Sequence, residues 1–522
     1  MLKALQLKDI FVGKTDAKNE FIENTKDEQE KFINSYLIPE NITISDFETG
    51  KKYYITGLKG TGKTALLRYL ELSFKEKATH SSFILFKSEF SEEDKANFSK
   101  AASTFLTERN EDTENDEDFL NIWEWFLHRH IVKYTKEFGI HFFENDKAWD
   151  RYSKCVLAPK LGDEKSGITK LFPKLKRGSV EIEGDIEVLR SKLGIEFDWD
   201  NEKDKLVKFS SIVRQANELY KKLTPTANKL FIFVDELELA LGKNKQYQKD
   251  IKLIRDLIVA INNLNSISRK CKYPIYLITA IRSEVLTSIQ SSGKEINKPI
   301  LDFGISLKWQ QSGGSTKSHP LIRIINKKIQ SAEKNIGIER ISTDEDIWKN
   351  YFPEKINSSP THEYILHRTW YRPRDIIRLL TIAQQQFPNE TSFSHAVFDS
   401  IVKEYSTQSW IEHAEELRSL LSEKEIDGIK KLLTSIICPF TFNEFRNICD
   451  IKKELYSDVE ILLKKHKPAD ILSLLYRVGL IGNTGNKVRY SFRGDDELVL
   501  ENNMKIHDPL WNYLSIDSKN KI

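Results

Sequence analysis

The sequence GLKGTGKT, residues 57–64, decides the fold of this chain. It follows the short apolar run YYIT and precedes ALLRYLELSF, whose leucines have helical spacing. The segment matches G-x-x-x-x-G-K-[ST] in the strand–loop–helix context that a phosphate-binding P-loop requires. Glycines let the backbone wrap around phosphates, and the following helix directs its first N–H groups at them. The residues predicted to bind ATP are therefore Gly57, Leu58, Lys59, Gly60, Thr61, Gly62, Lys63, Thr64 and Ala65.

Two residues of this loop have further predicted tasks. Lys63 neutralises charge on the β- and γ-phosphates, which places it among the predicted catalytic residues. Thr64 ligates Mg²⁺ through its hydroxyl group. The predicted ligands are accordingly ATP and Mg²⁺.

Two acidic residues follow the apolar run LFIFV, residues 230–234. A buried parallel strand carries Asp235 and Glu236 to its carboxyl end, the edge at which α/β sheets bind ligands. We expect Asp235 to ligate magnesium and Glu236 to orient or deprotonate the attacking water, the two carboxylate tasks of phosphoryl hydrolysis. Either acid alone is also compatible with an exposed loop, but the P-loop in the same chain favours the functional interpretation. The sequence thus predicts an ATPase, with slow turnover.

Three other apolar runs are typical of buried parallel strands. They are SFILF at 82–86, PIYLITAI at 274–281 and GISLKW at 304–309. The second run continues as LITAIRSE, which puts Thr279 or Arg282 beside the γ-phosphate if this strand lies between those carrying Lys63 and Asp235. Arg282 is the residue predicted to sense charge there. The alternative is an arginine that caps a surface helix.

The length of 522 residues exceeds what one hydrophobic core organises, and it predicts three or four structural units. The predicted fold class is α/β, with a P-loop NTPase core at 1–315 that has a parallel sheet with flanking helices. A helical insertion is expected at about 90–225, a helical lid at 316–420 and a winged helix at 421–522. The last prediction depends on three helical segments followed by the strand-like run VRYSF.

The expected insertion contains three distinctive stretches. The acidic run ERNEDTENDEDF at 108–119 predicts a solvated loop, and FLNIWEWFLHRHIVKYTKEF at 119–138 predicts a helix that faces the core. The basic, glycine-punctuated stretch at 162–189 predicts exposed surface, with a hairpin or a phosphate-backbone contact as alternatives.

Composition excludes several classes of protein. The 80 basic and 77 acidic side chains leave a net charge of +3, so no global field drives nucleic-acid binding. Four dispersed cysteines form neither a zinc pattern nor a disulfide framework, which predicts a cytoplasmic protein. The sequence has no signal-peptide pattern and no apolar run long enough for a bilayer, so we expect no membrane anchor.

The expected third helix of the winged helix, ADILSLLYRVGLI, is almost entirely apolar, with Arg477 as its one basic residue. A DNA-reading helix requires basic and polar residues, so the pattern favours packing or protein contact over duplex DNA. The basic cluster at 464–467 precedes this helix and is an alternative contact for phosphates.

A family resemblance connects these motifs. GLKGTGKT, VDELE, LITAIRSE and YRPRDIIRLL, with the expected winged helix, together resemble the AAA+/STAND branch of P-loop ATPases, and within it the bacterial FunZ-like P-loop ATPases. The resemblance implies that Val12 and Gly13, in IFVGKTDAKNE, lie near the adenine. It also implies that Pro373 approaches the base and Arg374 the γ-phosphate. Lys14 and Tyr371 stand where these families have arginine and glycine.

The same resemblance implies a nucleotide-controlled switch in bacterial conflict or antiviral defence, with hydrolysis resetting the switch. The expected partner is a separate effector or regulatory protein, and assembly into a homo-oligomer stays open. The rival interpretation is a DNA-binding ATPase of the origin-recognition type, a loader or regulator that grips duplex DNA with its winged helix. A small-molecule kinase is disfavoured because it needs neither a long lid nor a winged helix.

Overall fold

We describe the chain from a computed structural model. The residues that the structure describes are 4–21, 24–74, 78–86, 119–161, 175–176, 179–182, 199–201, 206–237, 244–290, 296–310, 316–418, 420–485, 488–495 and 497–519. The predicted acidic loop lies outside these residues up to its last position, and so does much of the basic stretch at 162–189.

The secondary structure is mainly helical. The helices, in chain order, are α1 (Lys26–Ser35), α2 (Ile44–Glu48), α3 (Lys63–Ser73), α4 (Leu120–Phe138), α5 (Lys147–Leu157), α6 (Phe209–Tyr220), α7 (Asn244–Cys271), α8 (Ser283–Gln290), α9 (Asn297–Phe303), α10 (Pro320–Asn335), α11 (Asp344–Asn350), α12 (Thr361–His367), α13 (Pro373–Gln386), α14 (His395–Leu417), α15 (Glu423–Leu433), α16 (Phe442–Leu455), α17 (Ser457–Lys465), α18 (Pro468–Arg477) and α19 (Trp511–Leu514). Within the described ranges, none of the helices combines the length and apolar content needed to cross a bilayer.

The strands, in chain order, are β1 (Tyr54–Gly57), β2 (Thr79–Leu85), β3 (Leu175–Lys176), β4 (Ser179–Glu181), β5 (Trp199–Asn201), β6 (Leu206–Lys208), β7 (Lys229–Leu237), β8 (Ile275–Arg282), β9 (Gly304–Ser306), β10 (Lys355–Ile356), β11 (Ser359–Pro360), β12 (Ile437–Cys438), β13 (Ile481–Asn483), β14 (Met504–Ile506) and β15 (Asp517–Ser518). Strands β2, β7 and β8 have seven, nine and eight residues, and the other described strands have two to four.

The chain divides into two compact units. The first contains Glu40–Lys59 and Leu66–Leu307, and the second contains Met1–Pro39, Gly60–Ala65 and Lys308–Ile522. The boundaries expected at 315/316 and 420/421 stay predictions.

The first unit is built on a five-stranded parallel sheet with the order β2-β7-β8-β1-β9. All four residues of β1 are buried, and the run LFIFV of β7 is at most 1% exposed. Strands of a parallel sheet are covered on both faces, which is why they are recognisable as continuous apolar runs. The sheet confirms the predicted α/β class, and β9 confirms the strand expected near residue 304.

The insertion is not purely helical. Helices α4, α5 and α6 accompany a four-stranded antiparallel sheet with the order β3-β4-β6-β5. The antiparallel pair β3 and β4 lies in the basic stretch, for which a surface hairpin was one alternative. Exposed surface is wrong at Ser179 and Val180, which are at most 1% exposed. Helix α4 faces the core as expected, since Trp123 and Trp125 are at most 1% exposed and the Trp125 indole donates to the Val156 carbonyl at 3.0 Å.

The core of the second unit joins the N-terminal segment to α10, α13 and α14. Leu7, Ile10 and Val12 are buried in it. Gln384 of α13 donates to the carbonyls of Leu7 and Ile10 at 2.7 and 2.9 Å. Pro373 occupies the first position of α13, where a helix does not need the missing N–H group.

The C-terminal residues form four helices, α15 to α18, where two or three were expected. The prediction of a strand at VRYSF is wrong, because Ser491–Arg493 form a 3₁₀ turn and β13 pairs with β14 instead. A single bridge joins Asn483 to Arg489. The Asn483 side chain then bonds both the N–H and the carbonyl of Val499 at 2.9 Å, which takes the place of a continuing ladder.

Candidate functional site

The P-loop motif has the local structure that its sequence predicts. The chain leaves β1 at Gly57, and α3 begins at Lys63. Gly60 and Gly62 have φ values of +81° and +90°, a left-handed conformation that residues with a side chain rarely adopt. The two glycines are therefore required by the shape of the loop and not only by the motif.

Residues 60–65 of the loop belong to the second unit, and two other residues of that unit donate to their carbonyl groups. The indole Nε1 of Trp309 donates to the Thr61 carbonyl at 2.8 Å, and the main-chain N–H of Arg374 donates to the Gly60 carbonyl at 3.4 Å. A Cβ atom on Gly60 would lie 3.3 Å from Cδ of Arg372 and 3.4 Å from Cβ of Arg374. Two carbonyl groups of the loop thus already have donors, and the surroundings of Gly60 leave little space for a larger residue.

Asp235 and Glu236 lie at an irregularity in strand β7 of the first unit. The pairing of β7 with β8 shifts register between Val234 and Leu237. Glu236 has φ +62°, and its N–H donates to Oδ1 of Asp235 at 2.7 Å. Asp235 is 4% exposed, whereas Glu236 is half-buried. Bulges and left-handed non-glycine residues are strained features that concentrate at functional sites, where they redirect side chains.

The register of β8 separates the two candidates for a γ-phosphate contact. β8 lies between β1 and β7, which is the condition on which that prediction depended. Arg282 pairs with Gly57 at the end of β1, whereas Thr279 pairs with Tyr54, three residues further back. Thr279 is fully buried, and its hydroxyl has no hydrogen-bond partner among the described residues. Only Arg282 is therefore level with the first residue of the P-loop.

In the N-terminal segment predicted to lie near the adenine, the carboxylate of Glu20 packs against Gly13 and Lys14. Gly13 has φ +85°, and a Cβ atom there would lie 2.7 Å from Oε1 of Glu20. Oε2 of Glu20 accepts the N–H of Lys14 at 2.8 Å. Burial raises the pKa of Glu20. Burial also lowers the pKa of Lys328 to about 8, and the Lys328 ammonium donates to the Phe11 carbonyl at 3.2 Å. Val12 is 4% exposed, so its side chain belongs to the core.

The segment RPRD lies against the P-loop within the second unit. A Cβ atom on Gly62 would be 4.0 Å from Cγ of Pro373. Arg374 donates from Nε to the Thr15 carbonyl at 3.0 Å and from Nη1 to Oε1 of Glu412 at 2.9 Å. Tyr371 has φ +55°. The backbone thus keeps a conformation typical of glycine although the residue is a tyrosine.

Residues 319–412 match the family model of the FunZ-associated C-terminal helical domain. The FunZ-matched segment runs from the residue before α10 into α14 and includes Pro373, Arg374 and Glu412. The match supports the resemblance to the FunZ-like group. A search of the curated proteins finds no match to the chain.

Sequence reasoning missed several residues that surround the loop. Arg372 and Glu412 lie within the FunZ-matched segment, and Trp309 lies just before it. Glu412 and Trp309 have no motif around them, because their role comes from contacts with residues distant in the sequence.

Proposed function

We propose that this chain is a P-loop NTPase that binds and hydrolyses ATP and acts as a nucleotide-controlled switch. One observation carries the proposal: GLKGTGKT joins a buried strand to a helix, and the next two strands of the same sheet have Arg282 and Asp235–Glu236 at or near their carboxyl ends. This is the set of residues that phosphoryl transfer needs, namely phosphate-binding N–H groups, a cation and two carboxylates.

Binding is assigned to the loop. The main-chain N–H groups of residues 57–65 bind the phosphates, and Lys63 neutralises their charge. Thr64 and Asp235 would hold Mg²⁺, because hydroxyl and carboxylate oxygens are the ligands this cation prefers. Bound magnesium neutralises charge on the phosphate oxygens. Val12, Gly13 and Pro373 are proposed to contact the base.

Hydrolysis is assigned to Glu236, which accepts a proton from the water that attacks the γ-phosphorus. The register shift at Val234 and the left-handed backbone at Glu236 support this role, since they set the direction of the carboxylate independently of the regular pleat of β7. Arg282 and Arg374 are proposed to distinguish ATP from ADP through the terminal phosphate.

We further propose that α10 to α14 form the lid and that α15 to α18, with β13 and β14, form a winged helix. Ile471, Leu472 and Leu475 of α18 are buried in the domain's own core. Lys464 and Lys465 form ion pairs with Glu460 and Glu425 at 2.7 and 3.3 Å. Both observations favour packing or a protein partner over DNA reading. The proposed role in bacterial conflict or antiviral defence comes from the family resemblance alone.

The test of binding is calorimetric titration of the full chain with MgATP. Lys63→Ala should weaken ATP affinity by about 10- to 100-fold, the effect of a charged hydrogen bond, without lowering the unfolding temperature. Lys51→Ala, at an exposed position before β1, is the matched control. Equal affinity of Lys63→Ala and wild type would refute the assignment.

The test of hydrolysis uses Glu236→Gln, which should keep ATP binding and lose turnover. Loss of binding instead would exchange the roles of Asp235 and Glu236. Turnover equal to that of wild type would assign the base to another residue such as Glu238, which lies outside the described residues. Arg282→Ala should reduce the ratio of ATP to ADP affinity, and an unchanged ratio would contradict its sensing role.

A further inference from the structure

Arg374 extends from the P-loop to helix α14. Its main chain and Cβ lie against Gly60, as described above, while its guanidinium bonds Oε1 of Glu412 and the carbonyl of Thr15. The side chain is 25% exposed, so it is not sealed in the core. The group proposed to contact the terminal phosphate is therefore already bonded to a carboxylate.

Glu412 is shared between two arginines. Its second oxygen, Oε2, pairs with Arg378, and the side chains of Glu412 and Arg378 are 9% and 6% exposed. Arg378 also donates to Oγ of Ser409 at 3.2 Å and lies 3.6 Å from Oδ1 of Asp375. Arg378 is thus anchored on α13 and α14 by contacts that do not involve Arg374.

The shared carboxylate lowers the cost of moving Arg374. A buried carboxylate that loses its last cationic partner is strongly destabilising, because its charge is then neither hydrated nor compensated. When Arg374 leaves Glu412, Arg378 still compensates that charge. Arg374 is also the more exposed of the two arginines, so it is the one that can exchange partners.

We propose that Glu412 is a positioning residue that holds Arg374 beside the P-loop and releases it to the phosphates of bound ATP, while Arg378 stays on the carboxylate. The inference rests on the proposed function and adds to it the competing group that sets the affinity of the site. Glu412 and ATP compete for the same guanidinium, so weakening one contact strengthens the other.

The first test is Glu412→Gln, titrated with magnesium and a non-hydrolysable ATP analogue. The amide keeps the shape and an acceptor oxygen but removes the charge, so affinity should rise about tenfold, the effect of one charge-assisted hydrogen bond. ADP affinity should change less, because ADP lacks the terminal phosphate. Glu404→Gln, an exposed site on the same helix, is the matched control and should equal wild type.

The second test predicts a change of the opposite sign. Arg378→Gln removes the reserve partner, so Arg374 cannot leave Glu412 without exposing a buried charge, and affinity for the ATP analogue should fall several-fold. Glu412→Asp, which keeps the charge, should remain near wild type. In an Arg374→Ala background both glutamine substitutions should have no effect on affinity. A purely structural role of Glu412 does not produce opposite signs that depend on Arg374.

The outcomes separate the two proposals. If wild type shows no Lys63-dependent nucleotide binding, the proposed function is refuted and the inference falls with it. If binding depends on Lys63 but Glu412→Gln does not tighten it, Glu412 does not compete with ATP. If Glu412→Gln does not fold, Arg378→Gln decides, and unchanged or tighter binding by that variant overturns the proposal.

Discussion

Glu236 offers a test in which backbone strain and catalysis are measured at one residue. Its φ of +62° lies in the left-handed region, inside a strand that is otherwise extended. Such a conformation costs a residue with a Cβ atom about 1–2 kcal/mol, whereas glycine adopts it freely but loses about 0.5–1 kcal/mol more chain entropy on folding. The difference predicts that Glu236→Gly is about 0.5–1 kcal/mol more stable than Glu236→Ala.

The order should reverse at an ordinary position of the same strand. Lys229, the first residue of β7, provides the control pair, and there glycine should be about 0.5–1 kcal/mol less stable than alanine because no strain is relieved. Both pairs are compared by urea unfolding followed through tryptophan fluorescence. Both Glu236 variants lack the carboxylate, so its effect on the free energy of unfolding cancels when alanine is compared with glycine.

Turnover supplies an independent result for the same variants. Loss of a general base lowers turnover about 10²- to 10⁴-fold, so both Glu236 variants should be nearly inactive whatever their stability. A Glu236→Ala variant as stable as Glu236→Gly would refute the left-handed backbone. Turnover close to wild type in either variant would refute the assignment of the base and leave the strain argument intact.

Three further predictions concern the C-terminal residues. Gly479→Ala should destabilise the protein by about 2–3 kcal/mol, because φ is +77° and the new Cβ atom would lie within 3.0 Å of two aromatic carbons. Gly337→Ala, with φ +79° and open space, should lose only about 1 kcal/mol, and equal losses on thermal unfolding would contradict the packing. Burial lowers the pKa of His507 to about 3. Between about pH 6.5 and pH 3 this histidine is therefore protonated in the unfolded chain but neutral in the folded chain, so the free energy of unfolding falls as the pH drops through that range. His507→Gln should reduce this loss of unfolding free energy by up to about 1.4 kcal/mol per pH unit relative to wild type. The control His395→Gln, at an exposed position, should lose as much stability as wild type does. Competition binding to a random duplex library at near-physiological salt should enrich no DNA site, and a site lost on Arg477→Ala would instead favour a DNA-reading ATPase.

The parts of the site that follow from local sequence were predictable. Residues 58–62 form a loop between β1 and α3 because glycines and the apolar flanks dictate that conformation locally. Asp235 and Glu236 were found because a continuous apolar run is the mark of a parallel strand. The strand expected at VRYSF was wrong for the opposite reason. Ser491–Arg493 form a 3₁₀ turn, and the Ser491 hydroxyl donates to the Tyr476 carbonyl at 2.7 Å, a contact that the local sequence does not report.

The choice between Thr279 and Arg282 could not be made from the sequence. Both residues belong to one apolar strand, and their distance from the P-loop depends on the register between β1 and β8. Two strands separated by more than 200 residues pair through main-chain hydrogen bonds and through packing of the whole sheet, which no local pattern reports.

The sequence by itself therefore determined the strand–loop–helix form of the P-loop motif, the buried strands, the two acids near the end of β7 and the α/β class, because each depends on residues that are neighbours in the chain. Tertiary structure alone decided the strand order, the left-handed backbone at Glu236 and the partners of Arg374. Glu412 and Thr15 become neighbours of that arginine only when helix α14 and the N-terminal segment pack in one core. The sequence gives a side chain its charge. Which oppositely charged group lies beside that side chain depends on the distant elements that the hydrophobic core brings together.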